Sequence, residues 1–501
     1  MENGKVTPKQ EKRNLIAFPL ATLGRDMCSQ FFTYAIMNFI LFTKNLTVQQ
    51  FSVISIIIVA ARVFDALNDP LMGTLLDRTR TKIGKFKPWM IAGVITTSIV
   101  VLAAFLNNFT GWNFVVFFGF IYFFYSICFT MNDVSYWGMI PALSSKPEMR
   151  DKFTSLTVFW SGAGAGFVSV LVPVFTAGGM VIGGNAVTAY RTLACIACVA
   201  PVTMLLVFLL VKENREENTQ NKEKVSLKTI FGTIVRNDQL KWAALVFLIH
   251  QIGCLIITNG LASTYIYLEF GYKGILSTLF TVISMSTTVI LMLIYPQLAK
   301  KFSRNKLINI SKYAAVVGYL FVLVCGLLAP QGTMLKYGLI VAGFAIANSG
   351  TYCIYLAMMI CLSNTVEYNE YKFGERNEGI IASVRPFLSK LSNAISVMLV
   401  SFFYIITGVT VYTNQISDLE NQTSQGLISE QEKLSAIGTL LENVSSHETV
   451  GLLLAMAIIP LVTVVIAATV YKKKYKIDEK MYLEMVETIE QNKIKNIPEK
   501  V

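Results

Sequence analysis

The residues ARVFDALNDP, 61–70, place two carboxylates and an amide inside an otherwise apolar run. Asp65 and Asp69 are four apart and Asn68 follows Asp65 by three, so on a helix all three project from one face. Ionisable groups in a membrane-length run are costly, and each marks a functional hypothesis. Two carboxylates and an amide oxygen form a hard, oxygen-rich group suited to Na⁺, Li⁺ or a proton. Arg62 offers a plainer alternative, an internal ion pair, although one guanidinium compensates two adjacent buried acids poorly.

A second group lies in TMNDVSYW, 130–137, where Asp133 and Trp137 share a face. A carboxylate accepts hydrogen bonds from sugar hydroxyls, and an indole offers a flat apolar surface to a pyranose. A capped helix end with an interfacial tryptophan is the alternative. Depth favours function. Asp65 is 14 residues after Phe51 and Thr130 is 16 after Phe114; Asp69 and Asp133 are 18 and 19 residues in. At about 1.5 Å per residue the two pairs reach matching levels, so Thr130 can complete a cation shell. Arg25 and Asp26 lie ten or so residues into the first apolar run, and Arg385 and Lys390 inside the eleventh. An acid from one half and bases from the other suit a shared cavity; an ion pair without a ligand is the alternative.

The elements that must position these groups are apolar runs of about 20 residues, each long enough to cross a bilayer core. Twelve occur, near 16–42, 51–76, 89–108, 114–141, 153–175, 190–211, 239–268, 273–299, 307–329, 334–364, 378–410 and 448–471. They lack strand alternation, and an open sheet cannot span lipid, so they read as helices. The chain is 54% hydrophobic and only 15% charged, against about 25% in soluble domains. The expected fold is an all-α membrane protein with two six-helix bundles, 1–211 and 239–471, a cytoplasmic linker at 212–238 and a cytoplasmic tail at 472–501. This 6+6 layout is common among transporters with a midplane site.

The net charge of +12 does not point to nucleic acid, because its distribution follows a membrane rule. Lysine and arginine gather in the connections after the second, fourth, sixth, eighth and tenth runs, as in Arg78–Lys87 and Lys146–Lys152, which sets both termini in the cytoplasm. Lys472, Lys473 and Lys474 should sit on anionic headgroups. All eight cysteines fall in apolar runs, so Cys195 and Cys198 read as packing residues rather than a redox or metal pair. His250 and His447 have no partners for a metal site. The first apolar run reads as a span rather than a cleavable signal. A polar stretch at 411–446 should lie outside the membrane, where Asn421 and Asn443 are glycosylation sequons by pattern only.

Four segments resemble the melibiose permease-like glycoside–pentoside–hexuronide:cation symporter family of the major facilitator superfamily. They are RDMCSQ, ARVFDALNDPLMGTLLDRTRTKIGKFKPW, TMNDVSYWGMIPALS and NTVEYNEYKFGERNEGIIASVRPFLSK. The resemblance implies that Asp65, Asn68, Asp69 and Thr130 hold the coupling cation, as metal ligands if it is Na⁺. It implies that Asp26, Asp133 and Trp137 bind galactoside, that Arg25 stands where the family's best-known member has lysine, and that Lys390 lies near both sites. Two positions depart. Val158 replaces the arginine that holds sugar, and Arg385 replaces a glutamine; a cation moved to 385 would suit a uronide. Gly73, Asp77 and Arg78 belong to a cytoplasmic latch in which Gly73 allows close helix approach. Glu367, Glu370 and Arg376 would be counterparts of Arg150 and Lys152.

The expected function is cation-coupled sugar or glycoside symport in the cell membrane, by a monomer with no cofactor beyond the coupling ion, Na⁺, H⁺ or Li⁺. No Walker motif or catalytic triad appears, so an enzyme or primary pump is not expected. A cation-linked carrier of a lipid or other amphiphile is the alternative within transport. A sugar sensor that moves nothing is the alternative outside it.

Overall fold

The computed structural model describes residues 7–144, 146–198, 201–213, 227–375, 377–444 and 446–495. Among them there is no strand. The expected apolar runs fall on α1 (Pro8–Thr43), α2 (Val48–Arg78), α3 (Lys87–Leu106), α4 (Gly111–Leu143), α5 (Pro147–Thr176), the pair α6 (Ala186–Ala197) and α7 (Pro201–Leu210), the pair α9 (Asp238–Ile256) and α10 (Ala262–Phe270), α11 (Gly274–Lys301), α12 (Arg304–Leu328), α13 (Met334–Phe373), α14 (Glu378–Ile406) and α17 (Ser446–Lys474). Among the described residues eleven spans, not the expected twelve, are long and apolar enough to cross a membrane by composition. The exception is α1, whose 36 residues include Arg25, Asp26, Gln30 and Asn38. Residues 214–226, about half of the expected linker, lie outside the described residues, and its described part contains α8 (Leu227–Arg236).

The chain forms two compact units that cut across chain order. One comprises Met1–Glu223, Ile266–Leu279 and Tyr404–Ser445; the other comprises Lys224–Tyr265, Phe280–Phe403 and Ser446–Val501. In the first, α1 packs on α5, α6, α7 and α15 (Val409–Ser424), and α4 packs on both α2 and α3. Two glycines make this approach close enough. A Cβ on Gly93 would stand 2.5 Å from the Asn132 nitrogen of α4, and one on Gly164 would stand 2.5 Å from the Leu23 carbonyl of α1. Asn132 then donates to the Met90 carbonyl at 2.7 Å, fixing α4 against α3. Phe18 stacks on Tyr136 at 4.2 Å and Phe32 on Tyr125 at 3.8 Å, so aromatic pairs set the face α1 turns toward α4.

Helix starts follow local chemistry where it is available. Capping boxes at Thr7/Gln10 and Thr47/Gln50 open α1 and α2. α3 has Phe86 at its cap position and no side-chain bond of its own. A distant residue replaces it: Glu213 accepts from the Lys85 and Lys87 nitrogens at 3.0 and 3.3 Å. In the second unit, α12 packs on α13 and α9 on α17. The run expected as one helix over 239–268 breaks at Gly260, φ +107°, between α9 and α10.

The polar stretch 411–446 is not an irregular loop. It folds as α15 (Val409–Ser424) and α16 (Glu430–Glu442). Its core is an ion pair, Lys433 Nζ to Glu420 Oε2 at 3.2 Å, with both side chains fully buried. Glu420 also accepts from the Ala186 nitrogen at 2.7 Å, and Lys433 donates to the Gly184 carbonyl at 2.6 Å. Asn414 and Asn421 bond to the backbone of Leu46 and Thr43. Asn421 is therefore engaged inside the fold rather than presented as a glycan acceptor. The tail carries a further helix, α18 (Glu479–Lys495), which packs on α13 with Met485 buried.

Candidate functional site

α2 and α4 bring the first group together. Thr130 Oγ1 donates toward Asp65 Oδ1 at 3.5 Å and toward Asp69 Oδ1 at 3.3 Å, so one hydroxyl joins both carboxylates. Ser126, one turn earlier on α4, donates to the same Asp65 Oδ1. Asp65, Ser126 and Thr130 are buried, while Asn68 and Asp69 are half-buried. The Asn68 amide nitrogen is buried and makes no hydrogen bond to the protein. Arg62 sets its guanidinium over the Tyr122 ring, 5.8 Å from its centre, and its Nε is a buried donor without a partner. Ser126 was not among the expected residues. Its signal was the i, i+4 spacing to Thr130, which places both hydroxyls on one face of α4.

The second group converges on Arg25. Its Nε and Nη2 donate to Asp26 Oδ1 at 2.9 and 2.7 Å, and its Nη1 reaches Asp133 Oδ1 at 3.1 Å. Trp137 Nε1 donates to that same Asp133 oxygen at 3.1 Å, so the expected i, i+4 pairing on α4 is present. Thr22 Oγ1 donates to the other Asp26 oxygen at 2.9 Å. Arg25 is buried and lies 4.6 Å from the centre of the Tyr136 ring, whereas Asp133 and Trp137 are 36% and 37% exposed. The guanidinium thus anchors the network from behind, and the carboxylate and indole form its accessible edge. α4 continues to Leu143, so Asp133 and Trp137 sit within the helix body and not at a capped end. Thr130 and Asp133, three residues apart, put the two groups on adjacent turns of one helix.

The remaining expected residues lie on other elements. Arg385 and Lys390 lie on α14 in the second unit, Arg385 exposed and Lys390 half-buried. Val158, where the resemblance implies an arginine, is 53% exposed. Gly73 was expected to admit a neighbouring helix, but a Cβ there would meet nothing within 4 Å. No close packing requires glycine at that point. Arg78 is exposed at the end of α2, and Glu367 and Glu370 are half-buried on α13. Arg150 donates to the Ser144 and Pro141 carbonyls at 2.7 and 3.4 Å, closing the C-terminal end of α4. The Asp77 side chain and all of Arg376 lie outside the described residues. Among the described residues no three His, Cys, Asp or Glu side chains cluster as a metal site.

The MFS/sugar transport protein family matches residues 26–479. A lactose permease from Lactobacillus delbrueckii subsp. bulgaricus is 29% identical over 448 residues, covering 87% of this chain and 66% of the permease. A raffinose carrier protein from Pediococcus pentosaceus is 28% identical over 378 residues, covering 73% of this chain and 57% of the carrier. The chain thus spans less than two thirds of the length of these relatives. Among solved structures, a bacterial homologue of the human lysosomal transporter Spinster superposes with a TM-score of 0.64 at 13% identity, covering 96% of this chain and 99% of that one.

Proposed function

Because the chain belongs to the MFS/sugar transport protein family, and within the major facilitator superfamily to the glycoside–pentoside–hexuronide:cation symporters, we propose that it couples the entry of a sugar or glycoside to the downhill flow of a cation. The observation that carries this reading is the double use of α4. One turn faces the carboxylates of α2, and the next faces the Arg25–Asp26 pair of α1. An ion bound at the first group and a polyhydroxyl ligand at the second would share a rigid element, which is the physical requirement for coupling two binding events. The coupling ion, Na⁺, Li⁺ or H⁺, is cargo. The chain acts as a monomer in the cell membrane, with both termini cytoplasmic. Lactose and raffinose, for which the relatives are named, make neutral oligosaccharides the first substrates to try.

Reconstituted full-length protein should accumulate labelled lactose or raffinose when an inward Na⁺ or H⁺ gradient is imposed. Failure of both gradients with a panel of glycosides that do bind would leave a non-transporting sugar sensor. Asp133→Asn and Asp26→Asn should each weaken sugar binding by roughly tenfold or more, since a buried hydrogen bond to a ligand hydroxyl is lost at about 1–3 kcal/mol. Normal binding in both variants moves the sugar site elsewhere, and the lipid-carrier alternative would then lead.

The substrate's charge is a separate matter. Arg25 is already engaged by the Asp26 and Asp133 carboxylates, so it is not offered to a ligand's acid and the network suits a neutral ligand. A uronide would need Arg385 or Lys390 at its carboxylate, where a guanidinium can pair bidentately. On that reading a uronic glycoside should outcompete its matched neutral glycoside in wild type, and Arg385→Gln should erase the difference. Equal inhibition by both ligands in wild type rejects charge reading.

A further inference from the structure

Buried serines and threonines in these helices usually satisfy themselves on their own backbone. Ser55 donates to the Phe51 carbonyl, Ser98 to Val94 and Ser135 to Met131, each four residues back. Ser126 departs from this habit. Its hydroxyl crosses from α4 to Asp65 of α2 and meets the same oxygen that Thr130 approaches. Ser126 and Thr130 are i, i+4 on α4, as Asp65 and Asp69 are on α2, so two hydroxyls face two carboxylates at the same helical pitch. Asn68 adds an amide whose nitrogen no protein group satisfies.

We infer that Ser126 is a ligand of the coupling cation and that it makes this an alkali-cation site, for Na⁺ or Li⁺. The inference rests on reading the α2–α4 cluster as the cation site. A hydroxyl has one donor and two lone pairs, so Ser126 can donate to Asp65 and present a lone pair to an ion in the same geometry. A proton needs a single carboxylate oxygen. A hard metal cation gathers about six oxygens. Ser126 is 4% exposed, Thr130 2% and Asp65 7%, so side chains rather than bulk water must provide most of that shell. The two acids, two hydroxyls and the Asn68 amide together offer seven side-chain oxygens. Ser126 contributes one that nothing else on α4 replaces, since Thr130 already bridges both acids.

The test is binding of ²²Na⁺ to the purified full-length protein in detergent, which requires no knowledge of the sugar. Wild type should bind ²²Na⁺ and release it to unlabelled Na⁺ and Li⁺. Ser126→Ala should bind about tenfold more weakly. Ser126→Thr, which keeps the oxygen, should stay within about twofold of wild type. Melting temperatures of all variants should match wild type, and a Ser126→Gly variant serves if the alanine protein is unstable. Unchanged binding in Ser126→Ala, with binding lost in Asp65→Asn, would leave the cation site in place and overturn the role of Ser126. Absence of ²²Na⁺ binding in wild type would overturn the alkali-cation assignment while leaving proton coupling intact. Wild-type binding in Asp65→Asn would overturn the cation-site reading itself.

Discussion

Asp65→Asn should abolish gradient-driven sugar accumulation while leaving the protein able to bind sugar. Asp65 receives both hydroxyls of α4 and carries half of the cluster's formal charge, so its amide analogue keeps the volume and removes the attraction for a cation. The Arg25–Asp26–Asp133–Trp137 network on α1 and the next turn of α4 contains no atom of Asp65 and should persist. Coupling between two ligands is reciprocal, and factors of about 5–150 are typical. In wild type the cation should therefore sharpen sugar affinity by some such factor. In Asp65→Asn the sugar affinity should become independent of cation concentration, and imposed gradients should yield only equilibration with the medium. Accumulation equal to wild type in this variant would remove the α2–α4 cluster from the mechanism. Loss of sugar binding at every cation concentration would mean that the two groups are one site.

Much of this site was legible because the bilayer restricts what a sequence can hide. Acids in a 20-residue apolar run need a reason, and the i, i+4 spacing of Asp65 with Asp69 and of Asp133 with Trp137 names the shared face. Contacts between helices are a different matter. The Arg25–Asp133 bond joins residues 108 apart in sequence, and nothing local says which turn of α1 faces which turn of α4. Gly93 and Gly164 set that register by close approach, but in sequence they are two small residues among many. Ser126 is harder to read for a related reason: its i, i+4 spacing to Thr130 marks a shared face, but a buried serine usually bonds its own backbone, and the fold shows that this one reaches Asp65 instead.

The break at Gly260 and the α15–α16 hairpin were missed for opposite reasons. Residues 239–268 read as one run because hydropathy continues through Asn259 and Gly260, while the backbone does not. The hairpin reads in sequence only as a polar stretch outside the membrane, because its helices are too polar for a hydropathy signal. Its start was nevertheless written in the sequence: Ser429 and Glu432 form a capping box, observed with reciprocal bonds. What could not be read was the partner of each charge. Glu420 and Lys433 appear in sequence as ordinary surface residues, yet they meet in a fully buried pair.

That pair makes the second large prediction. Lys433→Met should undock the hairpin at neutral pH. Removing one partner of a buried ion pair leaves the other uncompensated at a cost of about 3–5 kcal/mol. Glu420 would keep its bonds from the Ala186 nitrogen and the Tyr272 hydroxyl and lose the opposite charge of Lys433. Burial already pushes the Glu420 carboxyl above the usual glutamate range, with Lys433 as the main opposing influence. The sign follows from which form each state prefers. A raised carboxyl holds its proton in the docked state at pH values where the free side chain, near 4.3, has lost it. Docking is therefore strongest in acid and weakens as pH climbs through the raised value. Without Lys433 that value rises further, so the variant should be docked at mildly acidic pH and undocked at pH above neutrality. Hydrogen exchange across 409–443 reads this directly: amides of α15 and α16 should be protected in wild type at both pH values, and in Lys433→Met only in acid. The double variant Lys433→Met/Glu420→Leu should recover protection at both, because an apolar pair of similar volume replaces a buried ion pair at little or no cost. Protection of Lys433→Met at alkaline pH equal to wild type would mean that the buried charges do not hold the hairpin and that its asparagine bonds to Leu46 and Thr43 do.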